Sequence, residues 1–359
     1  MSKAKLVIED DPFLRLIGVV LDPATTTERI AAFADFFAHD LPDFDRWLQQ
    51  LRKRLPHLHP AAVTLVDSTD ALRAALPGAD LAVVESLPFG AAELAVAPRL
   101  KAVQKYGAIA GNIDTAACAA RGVAVLTLRR RANIACAEHT LALMLGLSRR
   151  LHRVINRISM DSLRAAGFVP RMYDRRHTAN SNWARVPGIS LLHGATLGIV
   201  GMGEIGREVA TRAAAFGMNT LYYQRTPLAA ADAAHHPAHY ADFDTLLETS
   251  DWVAVCLPGN AGTRHLFDAK RIARMKPGAR LINVSRAEIV ERSAVLAALR
   301  TGQLGGYALD PLYEAPGRDD DELLQCENAL LTPHIAAQPR FNALDDITDL
   351  VTGLEEKLK

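Results

Sequence analysis

The chain lacks most of what would place a protein on nucleic acid, at a membrane or around a metal. Its 41 Lys and Arg are offset by 40 Asp and Glu, for a formal net charge of +1. No global field therefore recruits nucleic acid or an anionic lipid surface. No apolar run approaches the roughly 20 residues that span a bilayer. The N-terminal stretch MSKAKLVIEDD is charged and has no signal-peptide hydrophobic segment. Cysteine is scarce: Cys118, Cys136, Cys256 and Cys326 are far apart, with no C-x-x-C or zinc spacing. Free thiols in a reducing, cytoplasmic setting are expected, and no metal site. Repeats and low-complexity tracts are absent as well. What remains is an ordinary globular composition, 49% hydrophobic and 23% charged over 359 residues, long enough for two domains with their own cores.

The most informative stretch is LGIVGMGEIG at residues 197–206. An apolar run reads as a buried parallel strand, and residues 207–216 then have helical spacing. Between them lies Gly201-x-Gly203-x-x-Gly206. In a strand–turn–helix context this pattern points to a dinucleotide. Gly201 permits the tight turn, Gly203 lets backbone approach a pyrophosphate, and Gly206 lets helix and strand pack closely. Glu204 and Ile205 open the helix, whose N-terminus offers N–H groups to phosphate. An NAD site usually places an acid on the ribose at the end of the second strand. Here Tyr223 is followed by Gln224-Arg225-Thr226. No acid repels a 2′-phosphate and Arg225 can pair with it, so NADP is favoured over NAD.

Along the chain, strands are predicted at 62–66, 81–84, 102–104 and 123–126. Helical periodicity covers 26–55, broken at Pro42, and 69–76. Residues 16–21 are a short apolar run. Strands alternating with helices predict a parallel sheet, and the absence of a glycine fingerprint here assigns the dinucleotide elsewhere. Residues 132–155 predict one long apolar helix, and 161–190 a polar, irregular connection. A second α/β unit follows, with strands predicted at 220–223, 252–257, 280–284, 307–309 and 329–331. Its helices fall at 243–249, 270–275 and 292–301, a loop at 229–234, and a returning helix at 338–356.

Ordered motifs then carry a resemblance: GNID from Gly111, ANIACAEH from Ala132, VGMGEIG, MKPGARLINVSRAEIV from Met275, GYALD from Gly306 and LTPHIA from Leu331. Over residues 102–334 the chain resembles the D-isomer-specific 2-hydroxyacid dehydrogenases. The resemblance implies an α/β protein of two Rossmann-like doubly wound domains, the cofactor domain (132–334) inserted into a flavodoxin-like substrate domain (1–131 and 335–359). It implies an active site between them, a small 2-oxo or 2-hydroxy acid as substrate, and a homodimer. Arg286 falls at the family's catalytic Arg, where a guanidinium grips the substrate carboxylate and polarises the 2-oxo group. His334 falls at the acid/base His, which exchanges a proton with the substrate oxygen. Asp310 would face the nicotinamide, and Leu257, Pro258, Val284 and Ser285 would line the cofactor groove. Backbone N–H groups of Ala108 and Ile109 would hold substrate carboxylate.

Two departures stand out. The Glu that usually orients the His is replaced by Ala315, leaving Glu314, one residue early, to serve through a shifted loop or not at all. Ile109 stands where the carboxylate loop usually has its second Gly, and a β-branched residue tolerates positive φ poorly. The run Arg129-Arg130-Arg131 offers either a second anion site or a basic turn. Glu138 and His139 read as structural. A hydride-transferring enzyme is the leading reading; a nucleotide-sensing or corepressor-like binding protein of the same fold, with little turnover, is the alternative that Ala315 keeps open.

Overall fold

The computed structural model describes residues 3–359; Met1 and Ser2, the start of the charged N-terminal stretch, lie outside them. The chain divides into two compact units. One runs to Asn133 and resumes over Gln338–Lys359; the other is Ile134–Ala337. Among the described residues no helix is long and apolar enough to cross a membrane.

The first unit alternates β1 (Ala4–Glu9), α1 (Arg15–Leu21), α2 (Thr27–Phe37), α3 (Phe44–Lys53), β2 (Ala61–Val66), α4 (Thr69–Ala75), β3 (Leu81–Val84), α5 (Ala91–Ala95), β4 (Ala102–Lys105), α6 (Thr115–Ala120) and β5 (Ala124–Leu126). All pairings are parallel, in the order β2-β1-β3-β4-β5. Crossover helices bury both faces of such a sheet, so a central strand can be apolar throughout, as the fully buried Leu-Ala-Val-Val of β3 is. The apolar run at 16–21 is helix α1, buried along its whole length. Periodicity alone does not separate a short buried helix from a buried strand.

The second unit follows α7 (Arg131–Ser148), within which the boundary falls, α8 (Leu151–Val154) and α9 (Met160–Ala165). Its body is β6 (Thr196–Val200), α10 (Glu204–Ala215), β7 (Asn219–Tyr223), α11 (Ala230–Ala233), β8 (His239–Tyr240), α12 (Phe243–Thr249), β9 (Trp252–Val255), α13 (Ala269–Arg274), β10 (Ala279–Asn283), α14 (Arg292–Thr301), β11 (Leu304–Leu309) and β12 (Ala329–Leu331). The sheet order is β12-β11-β10-β9-β6-β7-β8, all parallel. Strand order reverses between β6 and β9, the switch point outside which doubly wound sheets bind ligands. Helix α15 (Phe341–Glu356) belongs to the first unit and buries Leu344, Ile347, Leu350, Val351 and Leu354, one helical face.

Three local expectations are corrected. The long helix over 132–155 stops at Ser148, because Arg150 takes a left-handed conformation (φ 56°) before α8 begins. The 161–190 connection opens on helix α9, started by the Ser159 hydroxyl, which accepts from Ser162 N–H. The Ala-rich 229–234 segment is one turn of helix, α11, rather than a loop.

Candidate functional site

Three glycines after β6 do three different things. Gly201 has φ 104°, and a Cβ there would lie 2.5 Å from the carbonyl oxygen of Cys256. Its N–H donates to Tyr223 O at 2.8 Å, drawing the turn against the end of β7. A Cβ on Gly206 would collide with the carbonyl of Gly201, so helix and strand meet there without a side chain between them. Around Gly203 nothing lies within 4 Å of the Cβ position. Gly203 also starts α10 without a side-chain cap. The first-turn N–H groups of a helix have no intrahelical acceptor, and an uncapped start beside open space has the form that suits a phosphate. Arg207, one residue after Gly206, is paired with Asp232 at 2.6 Å.

Gln224 Nε2 donates to Thr226 O at 2.7 Å and closes the turn after β7. Arg225 is exposed and, among the described residues, forms no ion pair. Leu257 packs against the glycine turn, its Cδ2 2.9 Å from the Gly201 Cβ position. Pro258 beside it is exposed, its carbonyl accepting from Thr263 Oγ1 at 2.7 Å. Val284 and Ser285 are buried, and the Ser285 hydroxyl donates to Val255 O at 2.8 Å, tying the ends of β9 and β10 together.

That tie positions Arg286. Its carbonyl accepts from Asn283 Nδ2 at 2.8 Å, and its Nη1 donates to Ser285 O at 2.7 Å. Gly259 lies under its stem: a Cβ there would be 2.6 Å from Arg286 Cγ and 2.7 Å from Glu288 Oε1. Arg286 is exposed and has no carboxylate partner among the described residues. Its remaining N–H fork is available to a planar anion. Gly259 was not visible as a site residue in the sequence; only its neighbour Pro258 was.

His334 is exposed and adopts φ 57°, a left-handed conformation rare for a residue with a side chain. Asp310, at the end of β11, holds it there. Its carbonyl accepts from His334 N–H at 3.0 Å. Its carboxylate accepts from Ile335 N–H at 2.8 Å, Ala336 N–H at 2.9 Å and the Thr332 hydroxyl at 2.6 Å. Burial pushes this carboxyl's pKa up, but donors from His139, Thr332, Ile335 and Ala336 outweigh it and bring it down to about 2. His139, on α7, lies 3.0 Å from Thr332 Oγ1. Since that hydroxyl donates to Asp310, His139 Nε2 carries the proton and donates to the hydroxyl. The Asp310 side chain is fully buried and holds the 332–336 turn. His139 has a structural role in the same network.

Glu314 is exposed and, among the described residues, makes no hydrogen bond or ion pair to His334. In the first unit, Asn112 Nδ2 donates to Leu87 O at 2.7 Å and Asp114 caps α6 through Ala117 N–H, so both hold the loop that carries Ala108 and Ile109. None of residues 107–111 takes positive φ, so Ile109 sits there without the strain its branched side chain threatened.

A sequence profile described as D-isomer specific 2-hydroxyacid dehydrogenase, NAD binding domain, matches residues 141–336. Glyoxylate/hydroxypyruvate reductase B of Salmonella newport is 33% identical over 312 residues, covering 85% of this chain and 89% of the relative. Among solved structures, D-mandelate dehydrogenase of Rhodotorula graminis aligns with TM-score 0.57 at 23% identity, covering 99% of this chain and 94% of that one. D-Lactate dehydrogenase of Aquifex aeolicus, complexed with NAD and lactic acid, aligns with TM-score 0.51 at 23% identity, covering 98% and 94%. The two structures speak for the shared fold.

Proposed function

Because the chain belongs to the D-isomer-specific 2-hydroxyacid dehydrogenase family and carries its nicotinamide-dinucleotide-binding domain, we propose that it reduces a small 2-oxo acid such as glyoxylate or hydroxypyruvate, with NADPH preferred over NADH. The observation that carries the reading is that Arg286, without a carboxylate partner among the described residues, follows β10 and His334 sits on the Asp310-held turn after β12, both on the sheet that bears the glycine turn. The uncapped N-terminus of α10 and the space at Gly203 fit a pyrophosphate, with Glu204, Ile205 and Gly206 in the first turn and Leu257 and Pro258 beside it. When bound, the nicotinamide supplies or accepts the hydride at C2.

Arg286 grips the carboxylate and places positive charge beside the carbonyl oxygen as it becomes an alkoxide. His334 delivers a proton to that oxygen and, being exposed, is reprotonated from water. Arg225 supplies the preference for a 2′-phosphate. Exposed Leu151, Ile155, Ile158, Val169, Met172 and Leu191 fall within one 41-residue stretch and form the surface we assign to a homodimer. Free thiols at Cys118, Cys256 and Cys326 fit a cytoplasmic setting.

A 2-oxo acid panel read with NADPH and NADH tests this. Rapid NADPH oxidation is expected, and Arg225→Ala should cut the NADPH-over-NADH preference about tenfold. The missing carboxylate beside His334 favours the nucleotide-sensing alternative. NADPH binding without turnover on any acid of the panel would establish that alternative instead.

A further inference from the structure

The turn after β7 that carries Arg225 is fastened at both ends. At its start, Gly201 N–H donates to Tyr223 O at 2.8 Å. Further on, the Tyr222 hydroxyl accepts from Leu228 N–H at 3.2 Å, and Leu228 packs against the apolar cluster that holds Met202 and Val209. At its end stands Asp232 on α11. Arg207, in the first turn of α10, grips both oxygens of that carboxylate. Its Nη1 donates to Oδ1 at 2.9 Å and its Nη2 to Oδ2 at 2.6 Å. Its Nε donates to Met202 O at 3.3 Å, inside the glycine turn. His236 Nε2 lies 3.4 Å from Asp232 Oδ1. One planar cation therefore ties α11 to the turn that holds Gly203.

Asp232 is also the first acid after Tyr223. An acid at this end of the second strand normally serves the ribose of NAD, and a free carboxylate there repels a 2′-phosphate. The Asp232 charge is instead taken up by Arg207, whose hydrogen bonds outweigh burial and hold its pKa below the ordinary carboxylate value. Arg225 is left as the exposed cation of the turn. A loop fixed in advance loses less conformational freedom when a ligand binds. Resting on the NADPH preference proposed above, we propose that Asp232 is a positioning residue for cofactor selectivity. Held by Arg207, it keeps the 224–229 turn against the glycine turn and presents Arg225 to the 2′-phosphate of a phosphorylated dinucleotide. Arg207 in turn cancels the one nearby charge in this segment that would oppose that phosphate.

Fluorescence titration of the full-length protein with NADPH and NADH tests this. The wild type should bind NADPH more tightly. Asp232→Ala should weaken NADPH binding about fivefold to tenfold and NADH binding less than about twofold. Asp232→Glu, which keeps the carboxylate, should recover part of the loss. Arg207→Met leaves the carboxylate unpaired, so the double variant Arg207→Met/Asp232→Ala should bind NADPH more tightly than Arg207→Met alone. Asp232→Asn, similar in shape, stands in if the Ala variant does not fold. Equal losses for the two cofactors, or a double variant no better than Arg207→Met, would make the pair merely structural and overturn the role of Asp232 while leaving the NADPH preference intact. A wild type that binds NADH as tightly as NADPH would overturn the preference and the role of Asp232 together, and leave the reductase reading standing.

Discussion

Both units are doubly wound parallel sheets, yet their first strand-to-helix turns are chemical opposites. After β1 the chain reads Glu9-Asp10-Asp11. The Glu9 carboxylate accepts N–H bonds from Glu85, Ser86 and Leu87 at 2.6, 2.8 and 3.0 Å. Burial pushes its pKa up, but these donors and the Ser86 hydroxyl outweigh it and bring it down. Asp11 Oδ1 accepts from Phe13 and Leu14 N–H at 2.8 and 3.2 Å, which closes the approach to α1 with the chain's own carboxylate. After β6 the equivalent position holds glycines, with open space at Gly203 and no carboxylate on the turn. The doubly wound sheet supplies a place for a ligand at its carboxyl edge. Whether an anion binds there depends on whether the protein has already filled it with one.

The largest expected effect removes the chemistry from the second edge. His334→Ala should lower kcat for 2-oxo acid reduction by about 10²–10⁴ in initial-rate measurements, the usual range for a general acid. A loss under fivefold would take His334 out of the reaction. The glycine turn is next. Gly201→Ala places a Cβ 2.5 Å from Cys256 O at φ 104° and should cost at least about 2 kcal/mol of stability. Gly203→Ala has room in the free protein. It should leave the thermal midpoint within a degree or two of wild type and weaken NADPH binding, as titration would show. If Gly203→Ala binds NADPH as tightly as wild type, the cradle is not where the pyrophosphate lies.

Asp310 gives a pH signature of similar size. Its native pKa of about 2 lies below the ordinary 3.8, so between those values the unfolded chain binds more protons than the native one. Its contribution, about 2 kcal/mol, is complete above pH 4 and is lost as pH falls toward 2. Urea unfolding between pH 5 and 2.5 should show a shallower loss of stability in Asp310→Asn than in wild type. Matching slopes would contradict the assignment. The smallest effect belongs to the first edge. Asp11→Ala removes two hydrogen bonds in the turn before α1, worth about 1 kcal/mol, and should leave the NADPH dissociation constant where it was. A tighter constant would mean that the first unit had been holding a cofactor site closed.

The second unit was the more legible of the two. Helices α12 and α14 and strand β12 fall on the residues their patterns predict, because each is a short apolar block bounded by local signals, such as the Asp242 cap of α12. The first unit hid more. β1 was missed because Lys5 and Glu9 interrupt its apolar residues, although Glu9 is buried and bonded to the loop after β3. The break at Arg150 carries no Gly or Pro to announce it.

The sequence by itself determined the dinucleotide turn, the positions of Arg286 and His334, and the absence of an acid after Tyr223, because these depend on residue type at fixed local spacing. Only the tertiary structure decided what the buried carboxylates do. Asp310 holds a turn because N–H groups 25 and 26 residues further on converge on it. Arg131 is held by Asp346, 215 residues beyond it, whereas its neighbour Arg130 lies over the ring of Tyr106. A charge's function depends on which partner arrives through space, and neighbours in sequence do not reveal that.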